Sequence, residues 1–286
     1  MTEHIRIGTA VTCPTVRMHL AIIAQAAATA ALMSSGRFDL GIGSGENLNE
    51  HITGAKWPAP RIRLEMLEEA INVIFQLWKG GDQNFYGKHY QVENARIFSL
   101  PQQRHSLLMA AAKKCAAKLA GRLADGLIAT SPEPSLVKEF ERGGGANKPR
   151  YGQMTMCWAP SRDEALRTAR EIWPNALVRG EVSAELALPR HFEQITEDLS
   201  ADLMEPVGGD TCGPSVEIHV AAIQEFVDAG FDHVYLHQVG DNQLAFLEFA
   251  QSEICRDLHD RESGSQKAGA SSLTVRYERN ASINFN

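Results

Sequence analysis

Short apolar runs alternate along the chain with longer stretches whose apolar residues recur every three to four positions. Residues 5–11, 38–42, 106–112, 126–130, 151–159 and 233–239 are the short, largely apolar runs. Each is expected as a strand. Helical patterns fall over 18–35, 61–78, 115–123, 134–142, 214–229 and 243–258, and another opens at Ser161. In 61–78, Ile62, Met66, Ala70 and Ile74 return every fourth position among Glu65, Glu68 and Glu69, the mark of an amphipathic helix. Ser161 with Glu164 forms a capping box, Gly143 to Gly145 are expected to end helix 134–142, and Gly230 to stop helix 214–229. One stretch departs from the alternation: NFYGKHYQV (84–92) reads as a β-hairpin turning at Gly87.

Every other strand is followed by a helix, so the expected architecture is an α/β fold, a parallel sheet wrapped by helices. The count is six βα units, which suits an open doubly wound sheet, whereas a closed barrel needs about eight. Residues 174–213 show no clear period. The Ala-rich run 20–33 is shorter than the roughly 20 apolar residues of a membrane span and reads as a buried helix. Residues 260–286 turn to Ser, Gly, Arg and Lys without periodicity and are expected to form a disordered tail.

Composition narrows the partners. A formal net charge of −7 with no basic block argues against nucleic acid. The five cysteines, Cys13, Cys115, Cys157, Cys212 and Cys255, are dispersed and odd in number, as in a reduced cytoplasmic protein. No signal peptide or membrane segment is expected.

Candidate chemistry centres on GIGSGENLNE (41–50). It is not a dinucleotide fingerprint, because Glu46 stands where the third glycine belongs and would repel a pyrophosphate. No P-loop, zinc spacing or hydrolase nucleophile elbow is present either. The alternating glycines suggest close approach of backbone to a flat group at a strand end. Glu46 beside it could take a proton as hydride leaves a substrate, and the plain alternative is a solvated or capping glutamate. A second candidate is the strand-to-helix turn at AAAKKCAAK (110–118), where free backbone N–H groups, Lys113 and Lys114 suit a phosphate. The alternative there is a solvated helix face. His233 and His237 share one face of a strand and are expected to be structural.

Together GTAVTCPT, RFDLGIGSGENLNEHITGAKWP, RLEMLEEAINVIFQLW, KLAGRLADGLIATSP and AGFDHVYLHQVG resemble the bacterial luciferase-like superfamily. Within it they are most similar to the oxidoreductases that use the deazaflavin coenzyme F420. The resemblance runs over residues 5–258 and implies a TIM-type (β/α)8 barrel with its cofactor at the carboxyl ends of the strands. It implies a non-prolyl cis peptide at Ala10–Val11, with Cys13 near the deazaflavin ring. It implies cofactor contacts from Ser44, Gly45 and Asn49, and a phosphate turn at Ala112 and Lys113 followed by Cys115 and Ala116. Glu46 matches the acid/base carboxylate, and His51 or Trp57 is expected on the substrate side.

There are departures. The family's first two βα units, which carry an Asp-His dipeptide with the catalytic histidine, have no match in these residues. A barrel truncated to about six units is expected, with open edges that leave a homodimer conceivable. The phosphate turn lacks the family's glycines. Glu133 stands where sugar-phosphate dehydrogenases of this branch place a substrate-phosphate lysine. The reading is F420-dependent hydride transfer with a small alcohol or aldehyde. An FMN-dependent monooxygenase and a truncated, inactive barrel remnant stand as alternatives.

Overall fold

The computed structural model describes residues 3–178, 180–197 and 211–265. Its centre is a parallel sheet of six strands, in the order β1 (Ile7–Gly8), β2 (Phe38–Ile42), β5 (Ser106–Ala110), β6 (Gly126–Ala129), β7 (Arg150–Met156) and β8 (His233–Gln238). The antiparallel hairpin β3 (Gln83–Tyr86) and β4 (Gln91–Ala95) stands apart from it. Around the sheet run α1 (Leu20–Met33), α2 (Asn47–Glu50), α3 (Pro60–Leu77), α4 (Lys114–Leu123), α5 (Pro134–Phe140), α6 (Arg162–Ile172), α7 (Glu181–Glu185), α8 (Pro189–Glu197), α9 (Val216–Asp228), α10 (Gln243–Phe249) and α11 (Cys255–Ser265). None of the described helices is long and apolar enough to cross a membrane.

Strand periodicity sorts side chains between two faces. Leu40, Ile42, Leu107, Met109, Leu127, Met154 and Met156 point to the helices and form the main core with α1, α3, α4 and α9. The opposite face is concave. There Arg6 grips the buried Asp39 through two hydrogen bonds of 2.9 and 2.5 Å. Tyr151 stacks on Tyr235 and His233, at 5.5 and 4.5 Å between centroids. Burial raises both phenols, Tyr235 to about 12, and the charge of Asp39 adds to each. That charge reaches from β2 to β7 and β8 because the sheet curls toward a barrel. β1 and β8 end the sheet and do not pair with each other.

Several boundaries differ from the sequence reading for identifiable reasons. Strand 5–11 shortens to a two-residue ladder, because beyond Gly8 the Thr9 hydroxyl takes over the backbone bonding. Helix 134–142 ends within the triple glycine as expected: its last turn widens from Glu141, and Gly144, with φ +103°, breaks the helical geometry. Here the glycines serve close packing, since a Cβ on Gly121 would lie 2.0 Å from the Phe140 carbonyl oxygen and one on Gly143 2.2 Å from that of Lys118. Helix 20–33 is buried on one side only, with Ile22, Leu32 and Met33 exposed. The closing helix passes through another π turn, Ala250–Ile254, and α11 continues to Ser265, past residue 260 where the tail was expected. Residues 266–286 lie outside the described ones.

Candidate active site

The three glycines of GIGSG face the segment Thr9 to Cys13 in step. A Cβ on Gly41 would lie 1.9 Å from the Thr9 carbonyl oxygen, on Gly43 2.8 Å from Val11 Cγ2, and on Gly45 2.5 Å from Cys13 Sγ. Glycine is needed here because the chain's own backbone and side chains fill the space, a reason different from the flat ligand inferred from sequence. Thr9 locks the first step: its hydroxyl donates to the Gly41 carbonyl at 2.8 Å and accepts from the Gly41 N–H at 3.1 Å. Thr12 N–H then donates to the Gly41 carbonyl and Gly43 N–H to the Thr12 carbonyl. Between these contacts the Ala10–Val11 peptide is cis, at the bond the resemblance implied. Gly45 has φ +78°, a left-handed conformation that glycine adopts without penalty.

Cys13 follows, half-buried, with Sγ 3.0 Å from Thr15 Oγ1. Burial raises its pKa, and this outweighs the hydrogen bonds from Thr15, so the thiol form is favoured. The hairpin holds the segment from the other side, Tyr90 Oη donating to the carbonyls of Thr15 at 2.9 Å and Pro14 at 3.3 Å. The Glu69 carboxylate of α3 shapes that hairpin by accepting from the N–H groups of Lys88, His89 and Tyr90.

Glu46 is the N-cap residue of α2, and its carbonyl accepts from Asn49 and Glu50 N–H. Its carboxylate has no hydrogen-bond or ion-pair partner among the described residues. The residue is exposed, yet the surrounding protein desolvates the carboxylate enough to raise its pKa. An unpaired carboxylate held nearer neutrality suits acid/base work. Ser44 and Gly45 are partly exposed and Asn49 exposed beside it.

The second candidate patch lies at the carboxyl end of β5. Lys113 is the extended N-cap of α4, and no side chain caps the first turn. Ala112, Lys113 and Cys115 are exposed and Ala116 partly so, leaving the first N–H groups open to an anion. Lys113 Nζ is 3.4 Å from the Glu181 carboxylate of α7. Glu133 is an exposed N-cap residue of α5 and accepts from Ser135 Oγ at 3.4 Å. His51 bonds the Asn47 carbonyl through Nδ1, and the Trp57 ring centroid lies 4.2 Å from the Arg63 guanidinium carbon.

Sequence reasoning missed Glu50, Arg63 and Glu185. Glu50 is only 1% exposed, and its carboxylate accepts from the Arg17 N–H at 2.7 Å. Its spacing of four from Glu46, one helical turn, was the available signal. His233 and His237 do share the concave face, His233 under Tyr151 and His237 hydrogen-bonded to Thr155 at 3.2 Å.

Comparison with known proteins agrees with this geometry. The family model for luciferase-like monooxygenases matches residues 1–233. An F420-dependent glucose-6-phosphate dehydrogenase of Microbacterium testaceum (strain StLB037) is 32% identical over 272 residues, covering 91% of this chain and 80% of that protein. One of the same name from Amycolatopsis mediterranei (strain U-32) is 32% identical over 270 residues, covering 90% and 80%. Among solved structures, an F420-dependent secondary alcohol dehydrogenase in complex with an F420–acetone adduct matches with a TM-score of 0.73 at 26% identity, covering 82% of this chain and 73% of that one. The curled parallel sheet, the cis-bonded strand extension and these similarities lead to one assignment: the chain belongs to the luciferase-like monooxygenase family.

Proposed function

We propose that this protein is an F420-dependent oxidoreductase acting on a small alcohol or its carbonyl product, with Glu46 as acid/base. The observation that carries the reading is the desolvated Glu46 carboxylate, without a partner among the described residues, one residue beyond the Gly45–Cys13 contact. The names of the similar proteins, both sequence relatives and the solved dehydrogenase, support the cofactor. The residues present fit it. The uncapped first turn of α4 and Lys113 offer donors to its phosphate, and the glycine-lined segment with Cys13, Ser44, Gly45 and Asn49 offers a partly exposed wall to its ring. When bound, the deazaflavin supplies a hydride-accepting carbon. Glu46 takes the hydroxyl proton as the alcohol is oxidised, and returns it in the reverse direction. Cys13, kept neutral by burial, contributes contact surface without adding charge. Glu133 adds negative charge rather than a phosphate-binding cation, which favours an uncharged alcohol over a sugar phosphate.

The test is a fluorescence titration with F420, followed by anaerobic turnover with 2-propanol and glucose 6-phosphate. Saturable F420 binding and cofactor reduction by the alcohol are expected, with Glu46→Gln reducing the rate by ~10²–10⁴ while binding persists. Saturation by FMN and not by F420 would move the protein to the flavin monooxygenases. Binding of neither would mark an inactive barrel.

A further inference from the structure

With no side-chain partner among the described residues, Glu46 is placed by whatever holds its loop. One hold is local, through Glu50 and Arg17 N–H. The other comes from far along the chain. The Asn47 side-chain amide donates to the Glu185 backbone carbonyl of α7 at 2.9 Å, across 138 positions of sequence. The Glu185 carboxylate accepts from Arg63 at 2.8 Å. Arg63 also donates to the Pro58 carbonyl at 2.7 Å and lies over the Trp57 ring. Glu185 therefore ties the start of the loop, at Asn47, to its end at Trp57 and Pro58. Arg63 is only 5% exposed, so these partners offset the cost of burying its guanidinium. The other end of α7 is held by the Glu181–Lys113 pair, so this short helix links the two candidate patches.

We propose that Arg63 and Glu185 are positioning residues for Glu46: they form a clip through α7 that fixes the loop 46–58 and so sets where the carboxylate stands. The proposal rests on Glu46 as the acid/base group. The clip does not touch substrate or cofactor. It acts by holding Glu46 in its desolvated place, and a loosened loop lets the carboxylate swing toward water.

The experiment uses the ligand-free full chain, so failure to bind F420 would sink the functional reading and leave this test readable. Amide hydrogen exchange is followed across residues 46–58 in wild type, Arg63→Gln, Arg63→Lys and Glu185→Gln. The Glu46 carboxyl carbon is titrated by NMR with labelled glutamate, assigned by Glu46→Gln. Arg63→Gln and Glu185→Gln are expected to exchange about tenfold or more faster in the loop, as on loss of a charge-assisted hydrogen bond. Their Glu46 titration moves down toward that of an ordinary glutamate, with Arg63→Lys between them and wild type. Glu185 lies at the surface, so its variant keeps the test open if Arg63→Gln does not fold. Unchanged loop exchange and an unchanged Glu46 titration in a folded Glu185→Gln would overturn the proposal, even if its melting temperature fell.

Discussion

The stepwise contact between GIGSG and Thr9 to Cys13 makes a prediction that a mutant cycle can decide. In Gly43→Ala the new Cβ meets Val11 Cγ2 at 2.8 Å, while Val11 Cβ is 3.9 Å away and Ala110 Cβ 3.5 Å. Carbon atoms pack best at roughly 3.5–4.0 Å, so the valine methyl must retreat by up to about an ångström. Overpacking of this kind costs ~1–3 kcal/mol, and Val11 is 40% exposed, so the lower end is expected. Truncating Val11 to alanine removes the methyl and leaves the ordinary 3.9 Å contact. Gly43 has no positive φ, so its alanine also gains ~0.4–1 kcal/mol from a less flexible unfolded chain. Gly43→Ala should therefore lie between neutral and ~0.6 kcal/mol destabilising alone and be stabilising by ~0.4–1 kcal/mol in the Val11→Ala background, a coupling of ~1 kcal/mol. Urea unfolding of the four proteins measures it, with the midpoint moving at constant slope. Additivity within about 0.3 kcal/mol would show that Gly43 is not there to admit Val11, and the account of the motif would fail.

Gly41→Ala should be worse and resist rescue, because its Cβ meets a backbone oxygen at 1.9 Å and no side-chain truncation clears it; losses above about 2 kcal/mol are expected in the same assay. Tyr90→Phe removes the 2.9 Å bond to the Thr15 carbonyl, and should cost ~1 kcal/mol of stability and weaken F420 binding in a titration. His105 is packed 4.1 Å from the Trp78 ring with both ring nitrogens unpartnered, and burial lowers its pKa from 6.5 to about 4. A base whose folded pKa is depressed binds more protons unfolded, so stability should fall as pH drops from 6.5 toward 4, by ~3 kcal/mol from this group. His105→Phe should remove about 2 kcal/mol of the stability difference between unfolding curves at pH 7 and pH 5, since pH 5 is still above the folded pKa; an unchanged difference between the two would refute the assignment.

The framework was legible because short apolar runs, buried along their whole length in β2 and β6, alternate with longer stretches of helical period such as α3. Asp39 shows where that legibility ends. It interrupts an apolar strand; the pairing of β1 with β2 brings Arg6 to it, and the curl of the sheet brings two tyrosines near. The cis peptide was expected from the family resemblance alone. Glu185 could not be paired with Asn47 or Arg63 from sequence, since it lies within the stretch 174–213 that shows no period. Single side-chain contacts between elements far apart in sequence leave no periodic trace.

The motif itself was open to a sharper reading. Glycines at 41, 43 and 45 repeat every two residues, which is the period of one face of an extended strand. A nucleotide fingerprint instead spreads its glycines across a turn into a helix, where phosphate approaches the backbone. A period of two therefore points to another extended segment of the same chain lying against the row, and Thr9, Val11 and Cys13 supply it with the same period. Because both rows step together, a change in either should be felt in the other and then at Glu46, the first residue past the row. The carboxylate is held by fit between two short pieces of backbone as much as by the clip through α7, so variants in both holds should compound in the Glu46 titration. An Arg63→Gln variant combined with Gly43→Ala should bring Glu46 closer to an ordinary glutamate than either alone; a combined effect no larger than the greater single one would mean that one hold suffices.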